Sequence, residues 1–191
     1  MPSKTFEAVV ITERDKKIFQ FLFENKVATA LQITNSFFEN NSPKTAYRRL
    51  LYLARAGWLR KEGKFLSDRL IHIYGIADKT YEKYVHNEEV NGRKEQLKSN
   101  SIEHDLALVD IRLAFKKNQA VQKVYSENNL QSCYGFSKSD EFRDIVSLQS
   151  DGAVELLIHG KYRFIVPIEY EASFKDRKRC YNVTVQGRSI V

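Results

Sequence analysis

The 191 residues are 42% hydrophobic, 12% aromatic and 29% charged, the balance of a globular protein with room for one large core or two small ones. Two cysteines, Cys133 and Cys180, are too few for a disulfide framework or a four-cysteine zinc site. No apolar run approaches the roughly twenty residues of a membrane helix, and Lys4, Glu7, Glu13 and Arg14 break up the start where a secretion signal would lie, so the expected compartment is the cytoplasm. The net charge is +7 and is concentrated. Between positions 40 and 66, Lys44, Arg48, Arg49, Arg55, Arg60, Lys61 and Lys64 face a single acid, Glu62, a local charge of +6. A second cluster is Lys175, Arg177, Lys178 and Arg179 with Asp176. Charge gathered in this way points to a polyanionic partner, because each phosphate neutralised releases condensed counterions.

In chain order, Thr12 with Asp15 is a capping-box start for a helix whose inward stripe is Ile18, Phe19, Phe21 and Leu22. Thr29 with Gln32 starts a second helix, with Leu31, Ile33, Phe37 and Phe38 as its apolar residues. Ser42 as N-cap and Pro43 at the first helical position start a third, and Gly57 stops it. Ala46, Leu50, Leu53 and Ala54 form its inward face; Lys44, Thr45, Tyr47, Arg48, Tyr52 and Arg55 point outward. Residues 58–61 then read as a strand, 62–64 as a turn with a basic tip, and 69–76 as a second strand. Asp78 caps a fourth helix with Tyr81, Tyr84 and Val85.

Helix, helix, basic helix and basic hairpin is the order of a winged helix-turn-helix, spanning residues 1–86. In that reading Ser42, Lys44, Thr45 and Arg48 face base edges in the major groove, with Arg48 suited to guanine, and Tyr47, Tyr52 and Arg55 share their face. Arg49, Arg60, Lys61 and Lys64 meet phosphates.

Residues 87–100 are polar, with almost no apolar side chain, and mark a linker. From 101 onward Ser101 caps a helix carrying Leu106, Val109, Leu113, Ala114 and Phe115. Strands are expected at 121–127, 153–158 and 163–169, with 131–149 irregular apart from a short element at 142–146. Ser173 and Asp176 open a basic helix, and 183–191 add a last strand. The expectation for 101–191 is a small α/β domain around a mixed sheet, giving a mixed α+β chain overall. His72, His86, His104 and His159 are scattered, and His104-Asp105 reads as a helix start rather than a metal-ligand pair. Asp151 precedes one strand while Glu169 and Glu171 share a face at the end of the next. Oxygen ligands so placed suit magnesium, which activates water against a phosphodiester; in most proteins, however, acids at strand ends are plain caps.

Several stretches together resemble the replication-relaxation family of plasmids and other mobile elements. They are Ile11-Thr12-Glu13-Arg14-Asp15, Arg48-Arg49-Leu50 with Ala56-Gly57-Trp58-Leu59, and the helix from His104-Asp105-Leu106 to Ile111-Arg112. Ser150-Asp151-Gly152-Ala153 and Ile168-Glu169-Tyr170-Glu171-Ala172-Ser173-Phe174-Lys175 complete the set. The resemblance implies a winged helix joined to a restriction-endonuclease-like domain, with Asp151 and Glu169 at the two acid positions that hold the metal. Glu171 stands where that site has lysine, and Lys175, one helical turn on, is a displaced substitute. Pro167 is awkward in a central strand.

Three readings follow. One is a DNA-binding accessory protein of a mobile element, serving its replication, mobilisation or regulation, with an inactive nuclease-like second domain. Its partners are double-stranded DNA, a replication or mobilisation protein and a second copy of the chain, and it needs no cofactor and no membrane. The second is a magnesium-dependent endonuclease using Asp151, Glu169, Glu171 and Lys175. The third is a transcription regulator with a sensor or dimerisation half.

Overall fold

Thr12 starts helix α1 (Glu13–Asn25) through both halves of the expected capping box. Its hydroxyl accepts from the Asp15 amide at 3.3 Å, and the Asp15 carboxylate accepts from the Thr12 amide at 2.8 Å. The computed structural model describes residues 9–38, 42–66, 68–92 and 94–171. Ile18, Phe19, Phe21, Leu22 and Phe23 are all buried, so α1 is covered on more than one face and acts as the central rod. Strand β1 (Ala28–Thr29), helix α2 (Ala30–Phe37), helix α3 (Pro43–Arg55), strands β2 (Leu59–Leu66) and β3 (Arg69–Ile76) and helix α4 (Asp78–Tyr84) pack about it. Thr29 and Gln32 form the second capping box. Within α2, Ala30, Ile33 and Thr34 make the inward stripe, and Leu31, expected inside, points to solvent because it falls off that i, i+3, i+4 row. Ala77 rather than Asp78 stands at the N-cap of α4, with Asp78 in its first turn.

The first sheet has the order β1-β3-β2 and is antiparallel throughout. Gly57 ends α3 with φ +74°, as its sequence position demands. The turn expected at 62–64 is displaced. Strand β2 runs unbroken through it, with Gly63 opposite His72, and the chain reverses between Leu66 and Arg69. There Asp68 takes φ +61°, a conformation that aspartate tolerates better than most residues.

Beyond a 3-10 turn (Lys94–Leu97) come helix α5 (Ile102–Phe115), strand β4 (Val121–Ser126), helices α6 (Glu127–Ser132), α7 (Tyr134–Lys138) and α8 (Asp140–Ser147), and strands β5 (Gly152–Ile158) and β6 (Tyr162–Ile168). The stretch expected to be irregular is therefore helical, pinned by Phe142 and Ile145 and by a cluster of Tyr125, Phe136 and Phe142 with ring centroids 4.7–5.2 Å apart. The second sheet, β4-β5-β6, is antiparallel over the described residues, not mixed. Residues 159–161 are too short for a crossover and give a hairpin, with His159 and Gly160 at positive φ. Pro167 is accommodated because β6 is the outer strand of that described sheet. The helix expected from Ser173 and the strand at 183–191 lie outside the described residues. The whole is a mixed α+β fold with two small antiparallel sheets.

The segment 87–100 is packed, not solvated throughout. Tyr81 Oη accepts from the Gly92 amide at 2.6 Å, and Leu97 is fully buried in the core around α1. Helix α5 docks alongside: the Gln32 side-chain amide donates to the Leu106 carbonyl at 3.1 Å and to Asp110 at 2.8 Å. Asn128 in α6 donates to the Phe23 carbonyl at 2.6 Å and to the Gln96 carbonyl at 2.8 Å. Leu97→Ala is expected to destabilise the chain by about 2–5 kcal/mol in urea unfolding; a change near zero would show that this segment contributes no core packing.

Candidate nucleic-acid interface

Helix α3 buries Ala46, Leu50 and Leu53 completely, which fixes the face it turns outward. Ser42 occupies the N-cap position, but its hydroxyl pairs with Thr45 Oγ1 at 3.1 Å instead of capping an amide. Ser42, Lys44, Thr45, Tyr47, Arg48 and Arg55 are exposed and Tyr52 is half-buried. The helix contains no acid. Lys44, Arg48 and Arg55 form no ion pair with any described residue. Thr45, Arg48, Arg49 and Tyr52 line an open depression of about 300 Å³.

Two of the expected phosphate contacts are turned inward. Arg49 donates through Nε to Asp15 Oδ1 at 3.0 Å, through Nη2 to the Val10 carbonyl at 2.7 Å, and again to Asp15 Oδ2. Burial of Asp15 alone would raise its carboxyl, but hydrogen bonds from Arg49 and from the amide and hydroxyl of Thr12 together hold it below the usual carboxylate range. Arg60 donates to the Ile76 carbonyl at 3.0 Å and to the Leu97 carbonyl, tying the hairpin to the segment after α4. Sequence spacing gave no sign of either role, because each partner is remote along the chain.

On the hairpin, the register decides which side chains accompany α3. Leu59, Tyr74 and Ile76 share the core with α3, and alternation places Lys61, Gly63, Phe65, Leu70 and His72 on that same face. Lys61, Phe65, Leu70 and His72 are exposed. Lys64 is exposed too, but it lies opposite Ile71 within the strand, on the face away from α3, and not at the tip of a turn.

The acidic candidates assemble differently from the expectation. Strand β6 ends at Ile168, so Glu169 and Glu171 lie beyond it, exposed, in irregular backbone and not on a strand face. Asp151 does precede β5, but its Oδ2 accepts from the Tyr170 amide at 2.8 Å and lies 3.4 Å from His104 Nε2. His104 Nε2 is also 3.1 Å from the Tyr170 carbonyl, and its Nδ1 is 3.6 Å from Asp105. Among the described residues no group of three or more His, Cys, Asp or Glu is placed to hold a metal ion. Lys175 and the basic cluster of Arg177, Lys178 and Arg179 lie outside the described residues.

Beneath this cluster is a group that the sequence reading missed. Arg112 is buried and donates to Asn25 Oδ1 at 2.9 Å and to the Asp151 carbonyl at 2.6 Å. Burial pushes its guanidinium below its ordinary value, against the opposing pull of Asp105, Asp151, Glu127 and Glu24. The available signal was the seven-residue spacing from Asp105 to Arg112, which puts acid and base on one side of a helix.

No described helix is long and apolar enough to cross a membrane. Compared with protein-family models, with curated proteins and with solved structures, the chain gives no match.

Asp15→Asn tests the buried anchor of α3. The depressed carboxyl contributes its stability fully above the ordinary aspartate range near 3.9 and loses it as pH falls through the folded value. The variant is therefore expected to be about 1–3 kcal/mol less stable at neutral pH, with the gap closing as pH drops below about 4. A gap that stays constant on acidification would exclude the ionised pair as its source.

Proposed function

We propose that this chain binds double-stranded DNA as a winged helix-turn-helix, with α3 in the major groove and the β2–β3 hairpin as the wing beside it. The observation that carries the reading is the acid-free outer face of α3, where Lys44, Arg48 and Arg55 have no carboxylate partner among the described residues. A helix used to dock protein would seldom leave three cations and two tyrosines on one face, whereas phosphates and guanine edges satisfy that composition. The element order supports it: helix, short strand, helix, helix and hairpin, with the short strand closing the sheet. Arg48 reads bases. Lys44, Arg55 and Lys61 meet phosphates, with Lys64 reaching the backbone from the far face of the hairpin. Arg49 and Arg60 hold the scaffold. Such binding needs no cofactor.

The resemblance to the replication-relaxation family favours a setting on a plasmid or other mobile element, in its replication, mobilisation or regulation. In that setting the part from α5 onward serves contact rather than cleavage, since Asp151 is engaged by Tyr170 and His104.

Fluorescence anisotropy on random duplex at two salt concentrations tests the reading. Wild type is expected to bind with a steep salt dependence, and the triple variant Lys44→Ala/Arg48→Ala/Arg55→Ala to lose most of both affinity and slope. On a selected site, Arg48→Ala alone is expected to cost about 1–3 kcal/mol and relax one base preference. Arg143→Ala, an exposed cation of α8 paired with Asp140, serves as the control. Equal losses in the control and the triple variant, or no binding at all, would refute the proposal. In the same samples magnesium is expected to leave the duplex intact; nicking that disappears in Asp151→Ala would restore the endonuclease reading.

A further inference from the structure

We infer that the end of the β2–β3 hairpin is an apolar wedge that enters the minor groove and kinks the duplex that α3 reads. The inference rests on the DNA-binding reading and gives it a mechanical consequence. Phe65 and Leu70 are register partners next to the turn, 71% and 55% exposed, and so contribute little to the core. They lie on the α3 side of the hairpin. Leu70 leans back over Gly63, its Cδ1 only 3.1 Å from where a Cβ on Gly63 would stand. A Cβ at 63 would require that leucine end to give by a few tenths of an ångström, and Gly63 lies within β2, not in the turn.

Basic side chains outnumber acids around the pair. Lys61 and His72 share its face, and Lys64 and Arg69 occupy the other; the acids nearby are Glu62 and, in the turn, Asp68. An exposed phenylalanine and leucine with lysine and arginine on the same two strands suit a polyanion that also offers apolar surface, which is what partly unstacked base pairs present. From Lys61, opposite buried Tyr74, to Phe65 the strand advances about 13 Å at roughly 3.3 Å per residue. That reach takes the pair past one phosphate backbone from a helix seated in the major groove. Apolar side chains inserted at a base step unstack it and bend the duplex toward the major groove, and pyrimidine–purine steps yield most readily.

The test is the end-to-end distance of a duplex of about two helical turns, labelled at its ends as a fluorescence-transfer pair, at saturating protein. Wild type is expected to shorten it. Phe65→Ala/Leu70→Ala is expected to keep the salt slope of binding but lose most of the shortening, and Phe65→Leu to retain it. Circular dichroism should show all three equally folded, since both side chains are exposed. Binding by wild type without shortening, or full shortening by the double variant, would overturn the wedge and leave the DNA reading standing. A change from dimer to monomer in sedimentation of the double variant would assign the pair to a second copy and overturn it as well. Absence of binding by wild type would overturn both.

Discussion

The Asp15 carboxylate, fully buried at the start of α1, ties three pieces of backbone together. It completes the cap on Thr12, holds Arg49 of α3, and through Arg49 brings in the Val10 carbonyl. A buried carboxylate is costly to desolvate, and only this full set of donors makes it tolerable. The consequence is geometric. With Ala46, Leu50 and Leu53 buried and Arg49 drawn to Asp15, Arg48 is the arginine of the pair left toward solvent. An acid 34 residues upstream thus removes Arg49 from the cationic face that the buried stripe of α3 turns outward.

A second buried charge, Arg112, performs a similar task at the other end of α1. It links α5 to Asn25 and to the backbone at Asp151, and so fixes where the second sheet begins relative to the central helix. Its Nε has no hydrogen-bond partner among the described residues, so replacing Arg112 by a neutral residue of similar length would remove a desolvation cost along with two hydrogen bonds. Further bonds reinforce the same seam, from Lys26 to Glu127 and from Asn128 to the Phe23 carbonyl. The cations that remain on α3 are those that no such partner claims.

Elements governed by local chemistry were legible in the sequence. Both capping boxes, the Pro43 start, the Gly57 stop and the inward stripe of α3 are where short-range rules put them. What escaped depended on remote partners or on competing local options. Gly63 looked like the turn because glycine usually marks one, yet Asp68 supplies the positive φ and Gly63 makes room for Leu70. Helices α6 to α8 are five to eight residues long, too short to show a period, and Phe136 and Phe142 become a core only after β4 brings Tyr125 to them. Leu97 stood alone among polar residues and gave no stripe. Arg48, Arg49 and Arg60 are chemically alike, and only the fold separates the exposed one from the two held inward. Asp151 does precede a strand, but Glu169 and Glu171, expected to share a face at the end of the next, lie beyond Ile168, and their spacing carried no information about His104 and Tyr170.

The most direct measurement of the central claim is an amide NMR titration of the chain with a short random duplex. Binding through α3 and the hairpin predicts shifts concentrated at residues 42–55 and 59–72, absent from β4 to β6, and suppressed by added salt. Shifts centred on the second sheet, or none on α3, would contradict it.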